Sequence, residues 1–249
     1  MATEECKAIM DYLGCDCELF KKEKSGDKII KRWNELSEQG KKEGFFPLLI
    51  LPEDTLAETL ELALEDAGME CTPEDISAFR DAVLQEAEGI DPQSFLQERL
   101  AEHWETYEEN EIRGDFKECE PDDRFYSHMD GKKPYPELII AKIPAKHPWE
   151  LPAWLPMGGF NECPAPAEQV AVFRYWYEKY GAAPGLVTGD NWEFELTRPP
   201  LTDEDAEALA EEQFAFCEDI VVQAAAGWDT IRALASSLKG SITWFFWWD

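Results

Sequence analysis

Residues 242–248 read Ile242, Thr243, Trp244, Phe245, Phe246, Trp247 and Trp248, and the acid Asp249 follows. Three of the chain's ten tryptophans stand in this one run. Left in water it would be a sticky apolar patch and an aggregation-prone strand, so it must dock into a sheet and complete a core. The chain is therefore expected to fold as one cooperative body through to these residues. With 249 residues, 44% hydrophobic, there is enough apolar surface for that core without disulfide staples.

Charge is the second constraint. The chain has 53 acids against 23 bases, a net charge of −30, and the excess is uneven. Residues 1–45 carry 10 acids and 9 bases, residues 46–136 carry 25 and 7, and residues 137–249 carry 18 and 7. Such a field repels phosphate backbones and anionic lipid surfaces, which disfavours direct nucleic-acid or membrane-surface binding and favours a basic partner. The same acids also serve simply to keep an aromatic-rich protein dissolved. Both readings stay open on charge alone.

No charged-then-apolar leader follows the first residue, and the longest apolar runs, 45–51 and 242–248, are too short to span a bilayer. Seven cysteines, an odd number scattered along the chain, do not read as a disulfide framework. A cytoplasmic location is the expectation that follows.

The pattern of apolar residues predicts an α/β fold: a mixed sheet with flanking helices. A helix over Glu4–Leu13 leads to an alternating segment at 15–20. A helix with Ile29, Ile30, Trp33 and Leu36 on one face follows, stopped at Gly40 or Gly44, and then a continuous apolar strand at 45–51. Strand, helix and strand in this order predict a βαβ-like unit with a right-handed parallel crossover in residues 1–70. From 54 to about 110 the chain reads as acidic helices with N-cap candidates Asp54, Thr72 and Asp91, the last two followed by Pro73 and Pro92. Residues 114–136 show no period and read as a linker, so 71–136 is taken as an acidic helical insertion.

Residues 137–249 return to α/β, packed as one body with 1–70. A strand at Glu137–Ile143 comes first, then a Pro-, Trp- and Gly-rich segment to 166, and a helix over Pro166–Tyr180. A hairpin turns at Gly189 and Asp190, a helix is capped by Thr202, a last helix ends at Gly240, and the tryptophan run is the final strand.

Four unusual blocks occur in this part in order. They are His147-Pro148-Trp149-Glu150-Leu151-Pro152-Ala153-Trp154-Leu155-Pro156, Gly158-Gly159-Phe160-Asn161-Glu162-Cys163-Pro164, Phe214-Ala215-Phe216-Cys217-Glu218-Asp219, and Trp244-Phe245-Phe246-Trp247-Trp248-Asp249. Together they resemble the bacterial family catalogued as domain of unknown function 4253, over about residues 137–249. A weaker similarity to longer members covers about residues 26–60, through Gly40-Lys41-Lys42-Glu43-Gly44-Phe45 and Pro47. The resemblance implies a fold relationship and supplies no activity.

Among these blocks Cys163, His147 and Asp219 supply a thiol, an imidazole and a carboxylate, the residue types of a nucleophile, base and orienter. Gly158 and Gly159 could offer N–H donors to an oxyanion. No local signature surrounds Cys163, and buried cysteines usually serve as small apolar filler. The same residues with Cys217 offer donors to a metal but lack the close ligand pairs of a zinc site, so no metal and no cofactor is assigned. Trp149 and Trp154, between Pro148, Pro152 and Pro156, are read as an extended surface stretch able to anchor a partner. Glu105, Glu108 and Glu109 belong to an acidic helix face that could steer one.

The expectation is a non-enzymatic acidic interaction protein, immunity- or inhibitor-like, engaging a basic protein. A small hydrolase or ligand-binding enzyme using Cys163, His147 and Asp219 is the alternative, and a nucleic-acid mimic a third reading.

Overall fold

Strand β5 (Glu137–Ile143) is buried along almost its whole length, and it organises the sheet. In the computed structural model, which describes residues 2–249, it lies between β1 (Cys17–Lys21) and β2 (Phe46–Ile50) and runs antiparallel to both. Strands β1 and β2 are thus parallel to each other but not neighbours, so the predicted βαβ unit is split by β5. Burial explains the order: β1 is only half-covered and ends on an exposed lysine, which suits an edge, whereas β5 and β2 are apolar on both faces and take inner positions.

The sheet continues from β2 to β6 (Ala183–Val187) in parallel, and then to β7 (Asn191–Glu195) and β8 (Thr243–Trp247), each antiparallel to its neighbour. The order is β1-β5-β2-β6-β7-β8. The tryptophan run is therefore the far edge strand, and its side chains divide by the two-residue period of a strand. Trp244 and Phe246, with Trp248 just beyond the strand, turn into the main core, while Phe245 is 44% exposed.

That two-residue period also separates two cores. Leu48, Ile50, Ile139, Ala141 and Ile143 face the larger one. Leu49, Leu138 and Ile140 face a smaller one under α2 (Gly26–Glu43), which contributes Ile29, Trp33 and Leu36. Helix α1 (Glu4–Leu13), capped by Thr3 at the N–H of Cys6, supplies Ile9, Tyr12 and Leu13 to the larger core.

The acidic helices are α3 (Asp54–Asp66), α4 (Pro73–Ala87) and α5 (Pro92–Thr106), followed by the short α6 (Glu109–Arg113). Thr72 and Asp91 cap α4 and α5 ahead of their first-turn prolines. Asp54 instead opens α3, and Glu53 holds the cap position, with its carboxylate accepting the N–H of Gly189 at 3.0 Å. Leu56, Leu60, Leu64, Ile76 and Leu96 from these helices enter the same core as the sheet. Val83 and Ala87 pack on Ala153, Ala167 and Val170.

Residues 115–128 then cross the second face of β7. There Glu193, 1% exposed, accepts the backbone N–H groups of Tyr126 at 2.8 Å and Ser127 at 2.6 Å. The expected linker also forms a two-residue hairpin, β3 (Met129–Asp130) with β4 (Lys133–Pro134).

After β5 come a 3-10 turn at Pro148–Glu150, α7 (Leu151–Trp154) and α8 (Pro166–Tyr180). The remaining helices are α9 (Asp203–Phe216), α10 (Asp219–Val222) and α11 (Ile231–Leu238). Trp228 lies before α11 and is 39% exposed. No helix of the described residues is long and apolar enough to cross a membrane.

Candidate functional site

The four sequence blocks converge and most of their hydrogen bonds close within the fold, while the buried indole N–H groups of Trp244 and Trp248 have no partner among the described residues. Pro148 and Pro152 stand in the first turns of the 3-10 turn and of α7, positions where a missing N–H costs nothing. Glu150, nearly buried, accepts the N–H of Lys146 at 2.9 Å and folds the chain back on itself. This segment is helical, and Pro148, Pro152 and Pro156 are all buried, so it is not the extended surface stretch that its prolines predict.

Its two tryptophans have different surroundings. Trp149 is half-buried, sandwiched by the exposed His147 ring at 4.1 Å between centroids, nearly parallel, and by Tyr177 at 4.9 Å. Trp154 is covered by the guanidinium of Arg80, 3.8 Å above the ring, a cation–π contact that takes up the face a partner would need.

The next block is a tight loop closed on Gln169 of α8. Gly158 has φ +139, and a Cβ there would meet Gln169 Nε2 and the Pro164 oxygen at 2.3 Å, so only glycine fits. Gly159 gives its N–H to the Cys163 oxygen at 3.0 Å, which commits a donor that an oxyanion would require. Gln169 is fully buried. It donates to the oxygens of Met157 at 2.5 Å and Pro164 at 2.8 Å and accepts from the Trp192 indole at 2.9 Å, which ties the loop to β7.

The last two blocks lock together in the same way. Cys217 Sγ donates to the Trp247 oxygen at 3.0 Å. Asp219 accepts the N–H of Asp249 at 3.0 Å and Gln223 Nε2 at 2.8 Å. Asp190 in the β6–β7 turn accepts the Trp247 indole at 3.1 Å and, through its carbonyl, the Trp248 N–H at 3.1 Å. Asn161 donates to the main-chain oxygen of Asp249. Glu218 faces the buried His103 of α5 at 3.3 Å, whose imidazole is pushed down by burial while the Glu218 charge works the other way.

The three residues read as a nucleophile, base and orienter stand in separate surroundings. Cys163 is 4% exposed and contacts Met157 Sδ at 3.9 Å and Gln169 Nε2 at 3.7 Å. Burial pushes its thiol well above the ordinary value, and that of Cys217 up to about 12, so neither is a thiolate at neutral pH. His147 lines a surface depression between α4 and α8 with Glu88 and Arg174. Asp219 lines another, with Ile220, Leu234 and Trp244. Among the described residues no three His, Cys, Asp or Glu side chains are grouped to hold a metal ion.

Glu105, Glu108 and Glu109 are all exposed, but they are not equivalent. Glu109 pairs with Arg113 at 2.8 Å, and the same guanidinium meets Glu207 at 2.8 Å and Glu211 at 2.6 Å, docking α6 on α9. Two residues that sequence reasoning passed over, Arg80 and Arg99, are the only bases between 54 and 112. Both are turned inward. Arg80 donates to the oxygens of Tyr12 at 3.0 Å and Leu13 at 3.1 Å. Arg99 donates to those of Ala215 and Glu162, each at 2.8 Å. Their isolation in acidic helices was the signal available.

No curated protein and no solved structure matches the chain. The similarity expected at residues 26–60 lies outside the residues that match a family model, which begin within β5. Residues 139–249, the part that contains all four interlocked blocks, match the family model described as Domain of unknown function (DUF4253).

Proposed function

We propose that this protein is a non-enzymatic acidic interaction protein of bacterial cytoplasm, immunity- or inhibitor-like, whose helices α3–α5 face a basic protein partner. The observation that carries this reading is the inward turn of Arg80 and Arg99. With both cations spent on carbonyl oxygens, the exposed charges of α3–α5 are carboxylates, among them Glu58, Glu61, Glu98, Glu102 and Glu105. A one-signed surface of this kind raises the rate of encounter with a basic protein and rejects acidic ones. All seven cysteines are free thiols, in keeping with a reducing compartment.

The hydrolase alternative has less support, because the thiol of Cys163 is held protonated and the motif residues are consumed in packing. Co-purification with the immobilised protein, at low and high salt, tests the proposal. Basic proteins retained at low salt and released at high salt are the expected result. Salt-resistant retention of neutral or acidic proteins alone would count against it.

A further inference from the structure

Bases are scarce in this chain, yet four of them meet at the start of α2. Lys24, Lys31, Arg124 and Lys132 line a depression of about 710 Å³, in which Asp27 is the single carboxylate. Lys24, Lys31 and Lys132 have no carboxylate within ion-pair distance among the described residues, unlike Lys28, which pairs with Glu23 at 3.5 Å. In a protein of net charge −30, three unpaired ammonium groups around one cavity oppose the general trend of the surface.

The helix that opens there is 18 residues long, and its N-cap Ser25 makes no side-chain cap. First-turn N–H groups of an α-helix have no partners within the helix, and together with the helix dipole they attract anions. The Met129 and His128 side chains lie over this turn, since a Cβ on Gly26 would come within 2.6 Å of Met129 Sδ and 2.9 Å of His128 Nε2, and just before it the Glu23 carboxylate accepts the N–H groups of Lys24 and Ser25.

A second and independent observation is His128 itself. It lines the same cavity, is 4% exposed, and its Nδ1 has no hydrogen-bond partner. Nδ1 is closed to solvent, and the ring's other nitrogen, Nε2, is the one that lies beside Gly26 at the helix start. The ring belongs to the 115–128 segment that Glu193 fastens to β7, so it is held in place rather than free to swing out.

We propose that this depression binds a small phosphate-bearing molecule. The phosphate sits on the first turn of α2 among Lys24, Lys31, Arg124 and Lys132, with the His128 ring against it. Arg124 pairs with Asp123 at 3.8 Å, and a dianionic group matches the three unpaired ammonium groups and this guanidinium better than a monoanionic carboxylate does. The remaining space is bounded by Ile30, Phe125 and the half-exposed Tyr126 ring, which suits an organic body with a planar face. The site lies outside the family-matched residues and does not depend on the interaction-protein reading.

The test is calorimetric titration of the full chain with inorganic phosphate and with adenosine monophosphate, alongside NMR of the three histidine side chains. The wild-type protein should bind adenosine monophosphate saturably, and the His128 signals should move in step with binding while those of His147 stay put. The triple variant Lys24→Ala, Lys31→Ala, Lys132→Ala should lose affinity by about tenfold or more. A charge-matched control, Lys7→Ala, Lys42→Ala, Lys146→Ala, should change it less than about twofold. Saturable binding of inorganic phosphate as well supports the phosphate seat. Binding of neither probe, equal losses in both triple variants, or saturation without a change at His128 would overturn the proposal.

Discussion

Asp219 at the start of α10 accepts the backbone N–H of Asp249 at 3.0 Å, so a carboxylate of one sequence block pins the residue that closes another. Around this contact Trp244, Phe246 and Trp248 are each at most 2% exposed. Removing residues 242–249 is therefore expected to abolish folding rather than trim an end. Phe246→Ala should cost about 3–5 kcal/mol, and Asp219→Ala about 1–3 kcal/mol. Urea denaturation of each variant is the measurement, and a truncated protein with unchanged melting behaviour would contradict the account.

Gln169 offers a sharper test of how the glycine loop is held. Replacing it with Leu leaves two carbonyl oxygens and the Trp192 indole N–H without their partner. The expected loss is about 3 kcal/mol, together with faster proteolysis of the 157–164 loop. A change below about 0.5 kcal/mol would show that the loop stands without the clamp.

Cysteine reactivity should follow exposure. Cys71 and Cys119 are exposed and should alkylate within the first minutes, while Cys6, Cys163 and Cys217 should be protected until the chain unfolds. Cys163→Ala should cost about 1 kcal/mol, whereas Cys163→Asp, which buries an unpaired charge, should cost several times as much. Mass spectrometry after pulsed labelling reads the first expectation. Rapid, selective labelling of Cys163 in the native protein would restore the hydrolase alternative.

Acid should destabilise the fold partly through His128. Burial pushes this imidazole from 6.5 to about 4, against the pull of the Asp27 charge. A histidine whose folded value lies below its unfolded one binds fewer protons when folded. Its contribution is thus fully present above about pH 6.5 and is lost as pH falls toward 4. Urea midpoints at pH 7.5 and 4.5 should fall less in His128→Gln than in the wild type. An equal fall in both would remove His128 from the acid response.

The caps, the β6–β7 hairpin, the helix over Pro166–Tyr180 and the final strand are legible in the sequence because each carries a local signal: a proline after a capping residue, a Gly-Asp turn, an apolar period. What is hidden is non-local. Strand order is fixed by which strand is apolar on both faces, so β5 displaces β1 from beside β2 although β1 comes first in the chain. Glu193 alternates with Trp192 and Phe194 and reads as solvent-facing. It is buried only because residues 115–128 return to cover it. Gln169, beside Ala167, Val170 and Ala171, gives no hint that three partners await it. The proline-rich block misleads for a related reason, since prolines that begin turns and prolines that extend a strand look alike until burial is known.

The association rate of Glu105→Lys, Glu108→Lys with a captured basic partner, measured across a salt series beside the wild type, tests the central claim most directly. These two carboxylates are exposed and, unlike Glu109, hold no ion pair with Arg113. Association at low salt should slow by about tenfold, the two rates should converge as salt is raised, and the urea midpoint should stay unchanged. Equal rates for the two proteins at every salt concentration would reduce the acidic face of α3–α5 to a device for solubility.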